Sequence, residues 1–199
     1  GLASVLECVF NNVVRGFHGT GNCKPKLIGN EFYVLADQSI TSCGIYLYSV
    51  PAYVIQENVF AEFGNNGNSS GGESYGVLIN NCGSQTNYVY RNTFRNLKVG
   101  GQSQGDNGSE NDIFFPPVNP VNPPPLPISG LTWVCNTFDD QIYEADLAVA
   151  SGRINYHQGT QSVPADPEYH RKMAGNLFSS NTYTSTNNYY ASPYPVSEP

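Results

Sequence analysis

The chain has 199 residues, of which only 13% are charged, and it contains 20 glycines, 14 tyrosines and 10 phenylalanines. This composition argues against a mainly helical protein, which would be rich in Glu, Lys, Ala and Leu, and against a disordered chain, because the aromatic side chains can form a core. A net charge of −7 with scattered basic residues disfavours nucleic-acid binding, and no apolar run approaches the roughly 20 residues of a membrane span.

One six-residue motif recurs along the chain. In each copy an apolar residue is followed three positions later by Asn and two positions after that by Phe. The copies are Leu27–Phe32, Ile55–Phe60, Val89–Phe94, Trp133–Phe138 and Met173–Phe178, with a degenerate copy, Val5–Phe10, in which Cys8 replaces Asn. A motif that recurs while its surroundings vary marks one structural unit used repeatedly.

The spacing between copies varies, from 22 residues between Cys8 and Asn30 to 44 residues between Asn92 and Asn136. A helical solenoid would hold a nearly fixed period. The extra residues lie in stretches rich in Gly, Asn, Ser and Pro, which is how a coil of three short strands behaves when its corners accept loops of different length. Gly44–Leu47 and Gly76–Ile79, between the motifs, are predicted to begin strands with alternate residues inward.

The Asn and Phe positions have different predicted roles. Asn suits a corner because it tolerates left-handed backbone conformations and its amide hydrogen-bonds locally. Corners stacked about 4.8 Å apart would let these amides form a ladder, and the Phe side chains would stack inside as a continuous aromatic column.

Three insertions and a tail interrupt the predicted repeat, which extends over residues 1–185. Residues 64–74 are nearly all Gly, Asn and Ser and are predicted to form a loop, and residues 101–128 end in a proline-rich stretch that favours an extended excursion. The third insertion is 155–172. Residues 186–199 are predicted to be a C-terminal linker or tail.

The alternation of apolar-x-x-Asn-x-Phe with Gly-Ile-x-Leu resembles the right-handed parallel β-helix, the pectate-lyase-like superfold, over about residues 5–180. More narrowly, Gly44–Leu47, Tyr88–Phe94 and Gly130–Phe138 are similar to β-helix regions of large secreted surface proteins of Bacteroidetes-type bacteria. Gln158–Thr160 followed by Ala174–Phe178 is similar to a late stretch of such proteins. The resemblance implies an all-β solenoid of about six coils, exported and displayed at, or released from, the cell surface.

The acidic residues offer one weak catalytic candidate. Glycosidases of this superfold need carboxylates that converge on one face, and Asp139 and Asp140 are the only adjacent acidic pair, with Arg153 as a further candidate. The order of these elements differs from that of polygalacturonase-type enzymes, and neighbouring strand residues point to opposite faces. Solvated corner residues are therefore the favoured interpretation, with no catalytic residue assigned.

A second weak candidate is a calcium loop. Residues 106–112 carry oxygen ligands at the density of a calcium site, with Asp106 and Asp112 as the candidate carboxylates, but they lack the full spacing of a recognised one. A polar loop is the favoured alternative, and no cofactor is expected unless Ca²⁺ binds here. The five cysteines form no C-x-x-C pair; they are either small buried hydrophobes or contribute one or two disulfides.

Several tyrosines alternate with the presumed inward residues, among them Tyr46, Tyr48, Tyr75, Tyr88 and Tyr90. Exposed tyrosines on a sheet can stack on sugar rings, although strands also favour Tyr for its β-propensity. The leading hypothesis is a non-catalytic β-helix segment of a secreted or cell-surface bacterial protein, which acts as a stalk, an adhesion module or a partner-docking subunit of a larger assembly. It would bind protein partners or surface glycans through its long loops. The alternative is a polysaccharide-binding or polysaccharide-degrading protein on the same scaffold.

Overall fold

The computed structural model describes residues 1–35, 40–63, 73–108, 130–139, 142, 144–152, 154, 176–179 and 189–191. Every regular element in these residues is a β-strand. The strands are β1 (Leu2–Leu6), β2 (Val9–Val13), β3 (Arg15–Thr20), β4 (Lys24–Ile28), β5 (Glu31–Leu35), β6 (Thr41–Tyr48), β7 (Val54–Gln56), β8 (Val59–Phe63), β9 (Glu73–Asn80), β10 (Asn87–Tyr90), β11 (Thr93–Arg95), β12 (Val99–Gln104), β13 (Leu131–Val134), β14 (Thr137–Phe138), β15 (Ala145–Val149) and β16 (Tyr189–Ala191).

The strands form three parallel sheets. Each of the first five coils contributes one strand to each sheet, and β16 adds a sixth strand to one of them. Sheet 1 has the order β1-β4-β7-β10-β13, sheet 2 the order β2-β5-β8-β11-β14, and sheet 3 the order β3-β6-β9-β12-β15-β16. All strand pairs are parallel, and the register is kept from coil to coil except between Phe10 and Val13, where the pairing of β2 with β5 shifts. The fold is therefore a right-handed parallel β-helix, as the motif predicted, with about five coils where about six were expected.

The corner between sheets 1 and 2 contains the repeated Asn. The left-handed residue there is the one before Asn: Glu7, Gly29, Glu57, Arg91 and Cys135 all have a positive φ. The prediction that Asn itself adopts the left-handed conformation is wrong. The preceding residue makes the turn, and this leaves the Asn side chain directed into the stack.

The predicted Asn ladder is confirmed. Oδ1 of each Asn accepts two hydrogen bonds from the preceding Asn in the ladder, one from its backbone N–H and one from its side-chain Nδ2, at 2.9–3.1 Å. Each Nδ2 also donates to a backbone carbonyl of the preceding coil, that of the apolar residue which begins the motif there. Asn58, for example, donates to the Leu27 carbonyl at 2.8 Å. The ladder begins at Cys8, which donates only its backbone N–H, to Asn30.

The predicted aromatic column is also confirmed. Six nearly parallel rings stack through the core with centroids 4.7–5.7 Å apart; they belong to Phe10, Phe32, Phe60, Phe94, Phe138 and Phe178. Glycines of sheet 3 make room for these rings. A Cβ on Gly44 would lie 2.5 Å from Cδ1 of Phe60, and one on Gly76 would lie 2.5 Å from Cδ1 of Phe94. Gly44 and Gly76 were predicted to begin their strands, but they lie inside β6 and β9, which begin three residues earlier, at Thr41 and Glu73.

The structure corrects three predicted boundaries. Residues 101–104 belong to β12, which pairs with β9 and β15, so the insertion predicted at 101–128 does not begin at 101. Glu73 and Ser74, placed in the loop 64–74, begin β9. Strand β16 pairs with β15 in sheet 3, so the β-helix includes residues beyond 185, within the predicted tail 186–199.

The remainder of the predicted insertions lies outside the described residues. This holds for 64–72, for 109–128 and for 155–172. Among the residues that the structure does describe, no helix is long and apolar enough to cross a membrane.

Candidate functional site

The carboxylate pair predicted as a weak catalytic candidate is described only in part. Asp139 follows β14, where its backbone N–H donates to the Phe94 carbonyl at 2.9 Å and its carbonyl accepts from the N–H of Ile142 at 3.1 Å. Its side chain is half-buried. Asp140 and Arg153 lie outside the described residues, so their predicted role stays untested.

The predicted calcium loop is also described in part. The half-buried Asp106 follows β12; its N–H donates to Oδ1 of Asn81 at 2.9 Å, and its Oδ1 accepts from the N–H of Gly108 at 3.4 Å. Asp112 lies outside the described residues. Within the described part of the chain, no group of three or more His, Cys, Asp or Glu side chains is placed to hold a metal ion.

One charged cluster lies between sheets 2 and 3. Nζ of Lys98 forms ion pairs with Glu73 and with Glu144, the latter at 3.2 Å. The hydroxyl of Tyr75 donates to the Glu73 carboxylate at 2.6 Å. The hydrogen bonds from Lys98 and Tyr75 hold the pKa of Glu73 below its ordinary value, and although burial opposes it, the two carboxylates raise the pKa of Lys98. The four side chains satisfy one another, which suits a structural link between coils.

Two further carboxylates are buried. Glu62 accepts a hydrogen bond from the hydroxyl of Ser74 at 2.9 Å, and that hydroxyl accepts from the N–H of Lys98 at 3.0 Å. Asp146 stands in sheet 3 one coil beyond Gly100, in the column of Gly44 and Gly76, and accepts from both the N–H and the hydroxyl of Ser179. Sequence reasoning missed both, because their partners lie 12 and 33 residues away.

The outer face of sheet 3 carries an uncharged row of side chains, one from each of four successive coils. The residues occupy adjacent register positions and are Thr20, Tyr48, Asn80 and Gln104. We call them the amide–tyrosine row. Tyr48 is 44% exposed, and Nδ2 of Asn80 donates to Oε1 of Gln104 at 3.2 Å.

A second column on the same face is aromatic and cationic. The His18 and Tyr46 rings lie 5.0 Å apart at an angle of 48°, and the Arg15 guanidinium lies 5.2 Å from the centre of the Tyr46 ring. His18 and Arg15 are exposed, whereas Tyr46 is half-buried. The row and this column together form one surface over the first coils.

Two other tyrosines that the sequence singled out lie on another face, whereas Tyr75 belongs to β9 of sheet 3. Tyr88 and Tyr90 are on the outside of sheet 1, where Tyr88 is 42% exposed. The Arg91 guanidinium lies 4.9 Å from the centre of the Tyr90 ring and 3.8 Å from Glu57. The sequence predicted that tyrosines face outward, and the structure divides them between two sheets.

No protein-family model, curated protein or solved structure matches this chain.

Proposed function

We propose that this chain is a non-catalytic β-helix segment of a secreted or cell-surface bacterial protein. In this role it acts as a stalk, an adhesion module or a docking subunit of a larger assembly. The observation that carries the proposal is the continuous internal packing, in which the Phe stack runs beside a ladder of Asn side chains from Asn30 to Asn176. Such a core makes a stiff rod whose outer faces and loops are available for contacts.

The described polar clusters support a structural role. Lys98 is neutralised by ion pairs with Glu73 and Glu144. The buried carboxylates of Glu62 and Asp146 each accept a hydrogen bond from a serine hydroxyl. A catalytic acid–base pair instead needs groups that face a substrate and exchange protons with it. The resemblance of the Asn and Phe repeats to surface-protein β-helices favours export, and the long insertions provide further contact surface for proteins or glycans.

The second candidate function is polysaccharide binding or degradation on the same scaffold. The observation that favours binding is the exposed aromatic and amide surface on sheet 3, because tyrosine rings and amide groups are suited to sugar rings and hydroxyls. Degradation would require catalytic groups, for which Asp139, Asp140 and Arg153 remain the sequence candidates.

Two experiments test the proposal. Treating intact producing cells with a protease should cleave the protein, while an unrelated cytosolic protein in the same cells stays intact; protection equal to that of the cytosolic protein would contradict surface display. Incubating the purified chain with polyuronates should give no absorbance of unsaturated products and no new reducing ends. Product formation that scales with protein concentration would show that the chain is an enzyme.

A further inference from the structure

We infer that the outer face of sheet 3 binds an extended, neutral, β-linked glycan that runs parallel to the solenoid axis along the amide–tyrosine row. The inference deepens the proposed adhesion role by assigning a ligand class, and it rests on that proposal. It places ligand binding on a sheet face rather than on the insertions.

The first argument is unused hydrogen-bonding capacity. The hydroxyls of Thr20 and Tyr48, Oδ1 of Asn80 and Nε2 of Gln104 have no hydrogen-bond partner among the residues that the structure describes. Thr20 and Tyr48 are exposed, and the two amides are half-buried. Together they offer both donors and acceptors, which is what alternating sugar hydroxyls require.

The second argument is spacing. The four side chains come from strands that neighbour one another in sheet 3, so successive members of the row are about 4.8 Å apart. This repeat is close to the length that one pyranose ring adds to an extended β-1,4-linked chain. A glycan lying along the axis would therefore place one sugar ring beside each member of the row. An extended polypeptide would not match this spacing, because it rises only about 3.1 Å per residue.

The third argument is the combination of an aromatic platform with the absence of charge in the row itself. The exposed Tyr48 ring lies between Thr20 and Asn80, where the apolar face of a sugar ring can pack on it while its hydroxyls reach the neighbours. All four members are uncharged, and the net charge of −7 for the chain repels polyanions at long range. The chemistry favours a neutral glycan over an acidic one.

The experiment is titration calorimetry of the full chain with cellohexaose, a neutral β-1,4-linked probe. We expect binding, with Tyr48→Ala weakening it about tenfold and Tyr48→Phe, which keeps the ring, changing it less than about threefold. Asn80→Ala should weaken binding about fivefold, the usual value of one hydrogen bond. The matched control is Tyr88→Ala, since Tyr88 is 42% exposed against 44% for Tyr48 but lies on sheet 1; it should bind as the unmodified chain does.

Three results would overturn the inference: no heat of binding at millimolar cellohexaose, equal losses in Tyr48→Ala and Tyr88→Ala, or tighter binding of the β-1,4-linked mannuronate hexamer. The last result would indicate that an acidic glycan binds instead, through the side chains of Arg15 and His18. None of these results affects the proposed non-catalytic role, which fails if the chain cleaves cellohexaose or the polyuronates. Circular dichroism melts of the variants confirm that the fold is intact.

Discussion

The side-chain amide of Asn58 donates to Oδ1 of Asn92 at 3.0 Å, and the backbone N–H of Asn58 donates to the same oxygen at 2.9 Å. Two residues 34 positions apart are thereby joined by a two-hydrogen-bond unit that repeats along the corner. Both side chains are buried, so each of these groups depends on its neighbour in place of water.

Replacing Asn92 with Ala should destabilise the fold by about 3–5 kcal/mol. The change leaves the N–H and Nδ2 of Asn58 without their acceptor and the Ile55 carbonyl without its donor, and each buried group left unpaired costs about 1–3 kcal/mol. Urea unfolding measures the loss. The matched control is Asn11→Ala, at an exposed position of β2, which should stay within about 0.5 kcal/mol. Equal losses in the two variants would contradict the ladder's role.

The Phe stack predicts a gradient of stability effects along the solenoid. Phe60 is fully buried between Phe32 and Phe94, so Phe60→Ala should cost about 3–5 kcal/mol. Phe178 is 37% exposed and stacks with Phe138 at 5.7 Å, so Phe178→Ala should cost less than half as much, about 1–2 kcal/mol. Thermal and urea unfolding of both variants test this. A larger loss at Phe178 would mean that the last coil, not the middle, limits stability.

The repeat made much of the fold predictable from sequence. Asn and Phe positions are set by local corner and core requirements that every coil shares, so six copies were enough to indicate the ladder and the column. Strand β12 was missed because Gly101-Gln102-Ser103-Gln104 has the composition of a loop, and its pairing with β9 and β15 holds it as a strand. Strand β16 was missed for a different reason: its neighbour β15 lies far back in the sequence, so no local pattern marks the pairing.

The candidate surfaces were less predictable. The amide–tyrosine row depends on register between strands separated by loops of different length, and only Tyr48 was visible in the sequence as an outward aromatic residue. The ion pair between Lys98 and Glu73 joins residues 25 positions apart, so no local motif marks it. The alternation within a strand fixes which side chains face outward, but the loops between coils decide which outward side chains become neighbours.

Gly44→Ala should destabilise the fold by about 1–3 kcal/mol through overpacking. The added Cβ would lie 2.5 Å from Cδ1 of Phe60 and 2.8 Å from the Gly76 carbonyl oxygen, and the backbone atom cannot move without disturbing sheet 3. Gly1→Ala is the control, because a Cβ there meets nothing within 4 Å. Thermal unfolding distinguishes them. A Gly44→Ala variant as stable as the control would show that the Phe column is loosely packed.

The five cysteines are free, and their reactivity should follow their burial. Burial raises the pKa of Cys43 to about 12 and that of Cys82 to about 11, so at pH 8 both stay protonated as well as inaccessible. Cys8 and Cys135 are exposed. With a thiol-reactive dye on the native chain, Cys8→Ser and Cys135→Ser should each remove a rapid phase, whereas Cys43→Ser should leave the rapid phases unchanged. Rapid labelling of Cys43 in the native chain would contradict its burial.

The Lys98 cluster should make the free energy of unfolding decrease at acidic pH. The folded-state pKa of Glu73 lies below its ordinary value because Lys98 and Tyr75 donate to its carboxylate. The stabilisation is therefore fully present above the ordinary glutamate pKa, about 4.3, and is lost as pH falls through the lowered folded-state value. Unfolding free energies of the unmodified chain and of Glu73→Gln should differ at pH 7 and converge in acid. The exposed Glu7→Gln is the matched control. A difference between the unmodified chain and Glu73→Gln that stays constant from pH 7 into acid would show that the Glu73 charge contributes nothing to folding.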